Sequence, residues 1–379
     1  MLRTTCRITR PSRTLSWFQG VVDSTLREGE QTPGVHFSPD QRLAIVCQLA
    51  KVGIEEIELG IASARNTDLP GFIGRVRERI GRQGRLALWC RCRREDIDFA
   101  AICAPDVLSL SIPASDLHIK ERLQKDRSWI LRTLDESIAR ALKNGVPFVS
   151  VGLEDATRAD ETFLYKLVQV AQQSGAQRIR LADTVGICSP AGIADLVRKI
   201  GKTSSLALGV HTHNDFGMAT ANAIAALEAG ASWIDATVLG LGERAGNCRL
   251  EEAIGFLSLQ KGLKRYRTIE LRPLCMLVSR AAGATISPDH PVVGEEIFTC
   301  ETGLHLHGLA RNPVMYEPYD PVMVGARRDL RFGRKIGRRA LASHLQTLGR
   351  QMDDNELEEL LHQLRSGAID LPTTRKPCK

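Results

Sequence analysis

Two histidines one residue apart, His211 and His213, close an apolar run at 206–210 and are followed by Asn214 and Asp215. Alternate side chains of a β-strand share a face, so the two imidazoles project together, roughly 7 Å apart at ~3.3 Å of rise per residue. Such a pair suits a divalent metal held by nitrogen and oxygen donors. A pair of hydrogen-bonded core histidines is the competing explanation, and spacing alone does not separate the two. A second reactive stretch lies near the other end of the chain: Asp23-Ser24-Thr25-Leu26-Arg27-Glu28-Gly29-Glu30-Gln31. Glu28 can complete a set of two histidines and one carboxylate that leaves positions open for substrate. Arg27, always protonated, has donors that can stabilise a developing oxyanion. Taken by itself, this loop also reads as a solvated charged turn.

For Glu28 to meet His211 and His213, the fold must bring an early strand beside a late one. Apolar runs at 21–23, 55–60, 86–91, 107–112, 148–153, 178–183, 206–213 and 233–239 read as strands. Amphipathic stretches follow them. The first opens with Ser38 as N-cap and Pro39 in the first turn and stops at Gly53. The others lie near 70–81, 93–103, 128–144, 161–174, 190–200, 217–229 and 250–262. Eight strands, each followed by a helix, predict a (β/α)8 TIM barrel over 21–262. A doubly wound open sheet would call for a Gly-rich phosphate turn after an early strand, and the chain contains no GxGxxG. Polar residues gather where the strand candidates end: Asp23, Arg91, Ser111, Glu154, Asp183, Thr184, His211 and His213. In a barrel these ends form one rim, where active sites sit.

The composition is that of an ordinary globular enzyme, 43% hydrophobic and 25% charged over 379 residues. A net charge of +7 is a mild bias compatible with anionic substrates. With four tyrosines and four tryptophans there are few platforms for stacking single-stranded nucleic acid. No apolar run approaches the roughly 20 residues of a membrane helix. The ten cysteines lack framework spacing and are expected reduced, in the cytoplasm, with Cys90 and Cys92 as strand residues. Residues 1–20, with four arginines and no acid, form a basic N-terminal arm. After 262 the alternation stops. Residues 263–379 read as a linker and a mixed, mainly helical C-terminal appendage, too small and too polar to be a second independent core. It includes an amphipathic helix at 354–365 and a disordered tail from Thr373.

Asp23 to Gln31 resembles the DxTLR(D/E)GxQ signature of the isopropylmalate/homocitrate synthase family of metal-dependent Claisen-condensing barrels and its related lyases. The stretches His211–Asn222 and Leu239–Asn247 are similar to that family's second and third signatures, and the likeness extends over about residues 21–345. Glu28, where others carry aspartate, is similar to the homocitrate synthase branch. Trp89-Cys90-Arg91, Ser111 to Asp116 and Glu154 to Asp160 resemble its nitrogen-fixation type. The related thioester lyases usually carry a cysteine before the asparagine of the third signature; here Cys248 follows Asn247 and reads as structural.

The resemblance implies that acetyl-CoA condenses with 2-oxoglutarate and that water then cleaves the thioester, giving homocitrate for nitrogenase cofactor assembly. It implies a divalent ion (Mg, Mn or Zn) on Glu28, His211 and His213, with Asn247 completing or supporting the shell. Arg27 would stabilise the alkoxide and contact substrate, Thr184 and Gln31 would bind the oxo acid carboxylate, and Arg91 and Ser111 would line the substrate site. His305, in Thr302-Gly303-Leu304-His305, would take the methyl proton with Tyr316 and Glu154 assisting, in its own subunit or across a homodimer. Histidine suits that step because it titrates near working pH. His307 is assigned no role.

Two positions depart from the family. Cys300 stands where a histidine is frequent, and Gly333 to Gly337 replaces a glycine-lysine-histidine-serine-glycine run, altering Lys335 and its neighbours. The basic run Arg327 to Arg339 is therefore read as a solvated face or subunit contact rather than a CoA phosphate site. A 2-isopropylmalate or citramalate synthase, a CoA-thioester carbon–carbon lyase and a non-catalytic barrel are the competing functions.

Overall fold

The computed structural model describes residues 15–301, 305, 308, 309, 311–331, 334–347, 349–369 and 374–375. The basic arm up to residue 14 and nearly all of the tail after 369 lie outside the described residues. Two compact units are present: residues 15–267 with Pro273–Thr285, and Thr268–Arg272 with the chain from Ile286 onward.

The first unit is a closed barrel of eight parallel strands in sequence order, sealed by pairing of β1 with β8. The strands are β1 (Gly20–Asp23), β2 (Glu56–Ile61), β3 (Arg85–Arg91), β4 (Val107–Pro113), β5 (Val149–Glu154), β6 (Arg178–Asp183), β7 (Ala207–Thr212) and β8 (Trp233–Ala236). The helices between them are α1 (Pro39–Val52), α2 (Leu69–Ile80), α3 (Arg94–Ile102), α4 (Arg127–Lys143), α5 (Glu161–Gln173), α6 (Pro190–Gly201) and α7 (Ala219–Glu228), with α8 (Leu250–Gly255) after β8. Local chemistry sets their limits. Ser38 caps α1 in a reciprocal box with Gln41, and Gly53 ends it in the left-handed region at φ 97°. Asp126, Asp160 and Ser189 cap α4, α5 and α6 through their side chains. The TIM-barrel expectation holds.

Two strand ends differ from expectation in ways that matter for the site. β7 stops at Thr212, so His213 lies just beyond it, bridged to Asn247. β8 stops at Ala236 rather than 239: Thr237 bridges Arg249 instead, and Val238–Gly240 form a short turn in which Leu239 has φ 60°. A π-helical turn, His118–Arg122, follows β4, where the sequence pattern predicts no element.

Barrel interiors are usually filled by branched apolar side chains. Here much of the interior is ionic. Arg178 on β6 and Glu56 on β2 meet across it at 2.5 and 3.1 Å, with Ser150 on β5 accepting from Arg178 Nε at 2.9 Å. Arg85 also donates to Glu56 at 2.7 Å, and both guanidiniums lie over Trp233 and Phe148. One residue pair further along the same strands, Arg180 and Glu58 repeat the arrangement at 3.4 Å. Their neighbours Ile57, Leu59, Ile179 and Leu181 are fully buried. The alternation that period 2 imposes therefore sorts charge onto one face of β2 and β6 and apolar bulk onto the other.

The second unit has an apolar cluster of its own: Ile336, Leu341, Leu345, Leu357, Leu361 and Leu364, with Cys300 packed against it. Helices Arg338–Thr347 and Asp354–Ser366 supply it, and Asp353 caps the latter in a box with Glu356. The polar composition conceals this cluster because each helix buries only one stripe. Three short strands, Thr299–Cys300, Asp329–Leu330 and Thr374–Arg375, form a small sheet. Among the described residues, no helix is long and apolar enough to cross a membrane.

Candidate metal centre and active site

The loop after β1 is shaped by Asp23, which accepts from Thr25 N at 3.1 Å and Thr25 Oγ1 at 2.8 Å. Thr25 Oγ1 in turn accepts from Val238 N at 2.9 Å, tying this loop to the one after β8. The tight turn directs Arg27 and Glu28 inward, and each is only 6% exposed. His211 enters from β7 and His213 from the residue after it. The ligand atoms of Glu28, His211 and His213 all lie within 4.8 Å of one another, and all three residues are buried. Glu28 Oε1 also meets Arg27 Nη1 and stands 3.4 Å from His211 Nε2.

The hydrogen bonds bear on the choice between metal ligands and core histidines. His211 Nδ1 pairs with Asp235 Oδ2 at 2.9 Å, and His213 Nδ1 with the backbone oxygen of Asp183 at 3.0 Å. Each partner is an acceptor, so each Nδ1 carries the proton and each Nε2 presents a lone pair. His211 Nε2 is buried with no hydrogen-bond partner, and so is Asn247 Oδ1. A buried polar atom left unpaired is costly, and here His211 Nε2 lies among the donor atoms of Glu28 and His213, where a cation would pair it. The two rings meet edge to face, 4.9 Å apart. This donor set of two neutral imidazoles, a carboxylate and an amide oxygen fits a divalent cation.

Electrostatics agree. Burial pushes His211 below its ordinary range, with Arg27 and Arg180 acting the same way against Asp235. Burial, then His211, lowers His213 to about 3. Burial alone would raise Asp235, but Arg180 and His211 outweigh it and hold it at about 2. Asp23 goes the other way, raised to about 7 by burial against its Thr25 hydrogen bonds.

These two shifts give opposite pH dependences in the metal-free protein. His213 binds fewer protons folded than unfolded between about 3 and 6.5, so its contribution to stability is lost as pH falls through that window. Asp23 binds more protons folded than unfolded between 3.8 and about 7, so its contribution is lost as pH rises. Relative to wild type, His213→Gln is expected to be comparatively more stable at pH 5 than at pH 7, and Asp23→Asn the reverse. Urea midpoints in chelator at the two pH values check this. Identical pH dependence in all three proteins would contradict it.

Of the other residues singled out from sequence, Asn247 is bridged to His213. Its Nδ2 donates to Leu241 O at 2.9 Å, and a Cβ on Gly242 would fall 2.0 Å from that nitrogen, so only glycine admits it there. Thr184 Oγ1 accepts from Asp155 N at 2.7 Å, leaving its hydroxyl hydrogen available to a ligand. Ser111 donates to Glu154 Oε1 at 2.7 Å, and the other oxygen of Glu154 is held by Arg122. Glu154 is thus a paired carboxylate rather than an isolated one. Arg91, in register with Ser111, is half-exposed and donates to Asp96 at 2.8 Å. Gln31 ends the short helical turn Gly29–Gln31 at the edge of the loop. Arg244 grips Asp215 at 2.8 and 3.0 Å and Thr184 O at 2.8 Å, so the loops after β6, β7 and β8 share one clamp. Cys248 is fully buried and burial pushes its thiol up, in keeping with a structural role.

His305 and Tyr316 belong to the second unit, with ring centroids 4.3 Å apart and His305 exposed. Residues 302–304 lie outside the described residues. In the basic run, Arg328 pairs with Glu317 at 2.6 and 2.7 Å, Arg331 with Glu296 at 2.8 Å, and Arg338 with Asp354 at 2.6 Å. Several of its charges are therefore answered by acids of the same unit.

Glu58, Arg180, Asp235 and Arg122 are site residues that the sequence pattern does not single out. The first two had a signal: Glu56-Ile57-Glu58-Leu59 and Arg178-Ile179-Arg180-Leu181 carry opposite charges at the same period. Arg122 had none, since its placement depends on the π-helical turn.

Comparison with known proteins agrees with the geometry. Residues 20–278 match the HMGL-like family model, and residues 292–370 the model for the homocitrate synthase post-HMGL domain-like region. The homocitrate synthase of Frankia alni is 41% identical over 330 residues, covering 86% of this chain and 93% of that protein. The 2-isopropylmalate synthase 2 of Caldanaerobacter subterraneus subsp. tengcongensis is 38% identical over 352 residues, covering 93% and 91%. Among solved structures, the HMG-CoA lyase of Brucella melitensis superposes with a TM-score of 0.63 at 18% identity, over 70% of this chain and 99% of that one. At that identity the likeness speaks for the fold alone.

Proposed function

The chain belongs to the HMGL-like family of enzymes and carries the homocitrate synthase post-HMGL domain-like region, and on that premise we propose that it is a homocitrate synthase. It would join the methyl carbon of acetyl-CoA to the keto carbon of 2-oxoglutarate, with water then releasing CoA. The observation that carries this reading is the buried set Glu28, His211 and His213 with Arg27 beside it. Glu28, His211 and His213 would hold a divalent ion, Mg, Mn or Zn, which would supply Lewis-acid polarisation of the oxo acid's ketone. Arg27 would stabilise the alkoxide that forms at the keto oxygen. Thr184, with Gln31, would hold the oxo acid carboxylate, and Asn247 Oδ1 would support the ligand set. His305, with Tyr316 beside it, is carried from the sequence resemblance as the base for the methyl proton, in a homodimer. Glu154 assists as a charge fixed by Ser111 and Arg122 rather than as a free base.

The family includes condensing enzymes that differ in oxo acid, and the isopropylmalate synthase likeness keeps a branched or smaller substrate as the second reading. The polar group Ser111, Glu154 and Arg122, with Arg91 in register, supports an acid with a second carboxylate over an apolar one. Purified protein supplied with acetyl-CoA and a panel of 2-oxo acids is expected to release free thiol fastest with 2-oxoglutarate, and to stop when chelator is added. Equal or faster turnover of pyruvate or 2-oxoisovalerate would overturn the substrate assignment. The nitrogen-fixation resemblance supports nitrogenase cofactor assembly as the destination of the product.

A further inference from the structure

We infer that Arg180 is a positioning residue for the metal-binding end of this site: it holds Asp235 and Glu58 together across the barrel interior and so sets His211 and Arg27 relative to each other. The inference rests on the reading of Glu28, His211 and His213 as metal ligands.

Arg180 sits on β6 and is 4% exposed. Its Nη1 reaches Asp235 Oδ2 on β8 at 2.7 Å and Glu58 Oε1 on β2 at 3.4 Å. The same Asp235 oxygen receives His211 Nδ1 at 2.9 Å. The other oxygen of Glu58 receives Arg27 Nε at 2.6 Å. Arg27 and His211 then both face Glu28 Oε1. Six side chains thus close a ring: Arg27, Glu58, Arg180, Asp235, His211 and Glu28. The first and last come from the loop after β1, and the others from β2, β6, β8 and β7.

Room for this guanidinium is provided by Gly152 on β5. A Cβ there would already touch Arg180 Nε and Nη2 at 3.5 Å, and a longer side chain would run into them. The neighbouring strand thus gives up a side chain where a barrel interior would normally be filled.

Stability does not account for such a ring. Desolvating five charges is costly, and apolar replacements of buried ion pairs are often neutral or stabilising. What the ring does supply is orientation. Asp235 fixes which nitrogen of His211 carries the proton and how the ring is turned, and outer partners of this kind set metal affinity. Without Arg180, the carboxylates of Asp235 and Glu58 lose the cation between them, and both His211 and Arg27 lose a fixed partner.

The test uses the full chain stripped of metal, with Mn2+ as probe. Calorimetric titration is expected to give Arg180→Met a 10–100-fold weaker Mn2+ affinity than wild type. Its kcat should fall by a larger factor than its KM for acetyl-CoA rises, and Arg180→Lys should recover part of the Mn2+ affinity. Arg180→Met that folds and binds Mn2+ as tightly as wild type would overturn the inference, and a lower urea midpoint with unchanged affinity would mark Arg180 as merely structural. If Arg180→Met does not fold, Asp235→Asn and Arg180→Lys decide: weaker Mn2+ binding in both supports the ring, and wild-type affinity in both overturns it. Wild-type protein that binds no Mn2+ would instead remove the ligand reading itself, and this inference with it.

Discussion

Replacing His211 with alanine is expected to abolish retention of metal and to lower kcat/KM by at least about three orders of magnitude, ~4 kcal/mol of transition-state stabilisation. His211 supplies one of three potential ligand atoms clustered within 4.8 Å, and its Nε2 has no hydrogen-bond partner. The remaining pair, Glu28 and His213, would hold the ion too weakly to keep it through desalting. The same loss is expected for His213→Ala. Elemental analysis of desalted protein beside the thiol-release assay checks both parts. Wild-type activity in the metal-poor His211→Ala protein would refute the centre. Retained metal with lost activity would instead confine His211 to substrate handling.

The second large effect concerns stability. Glu56→Leu is expected to destabilise the barrel by about 3–5 kcal/mol, because it leaves Arg178 buried and unpaired. That is a large share of the roughly 5–15 kcal/mol that holds a typical domain together. Arg178 is among the largest fully buried side chains, and Glu56 is its only carboxylate partner among the described residues. Removing both charges, in Glu56→Leu with Arg178→Met, is expected to restore much of the loss, since the apolar pair needs no partner. Arg85, also bonded to Glu56, has a side chain one-third exposed and can turn its charge to water. Urea midpoints of the single and double variants give the result. A single variant within about 1 kcal/mol of wild type would mean that the interior admits water to Arg178.

How much of this was legible in advance follows from what each feature depends on. The barrel was, because eight strands with their helices are a local pattern repeated along the chain, and each repeat carries its own caps and stops, as Ser38 and Gly53 do for α1. The proposed ligands Glu28, His211 and His213 were legible as types and spacings. Their meeting was not a local property; it required closure of the sheet between β8 and β1. The end of β8 was misjudged because Thr237 changes partner to Arg249 and the chain then turns at Val238–Gly240, which no apolar pattern announces.

The interior ring was hidden for a different reason. Glu58 and Arg180 look like charged residues on two separate strands, and surface exposure is the ordinary expectation for both. Only the barrel's curvature turns those faces inward toward each other. Arg122 depended on a π-helical turn, which has no sequence rule of comparable strength.

The sequence by itself determined which chemistry was possible: the donor types, their order along the chain, and a strand-and-helix period that allows one closed architecture. Those are consequences of side-chain identity and of the 2.0 and 3.6 residue periodicities. The tertiary structure alone decided which of those groups share a volume, which nitrogen of each histidine is free, and which charges answer one another across the barrel. These depend on distances between strands far apart in the chain, and only the closed sheet sets them.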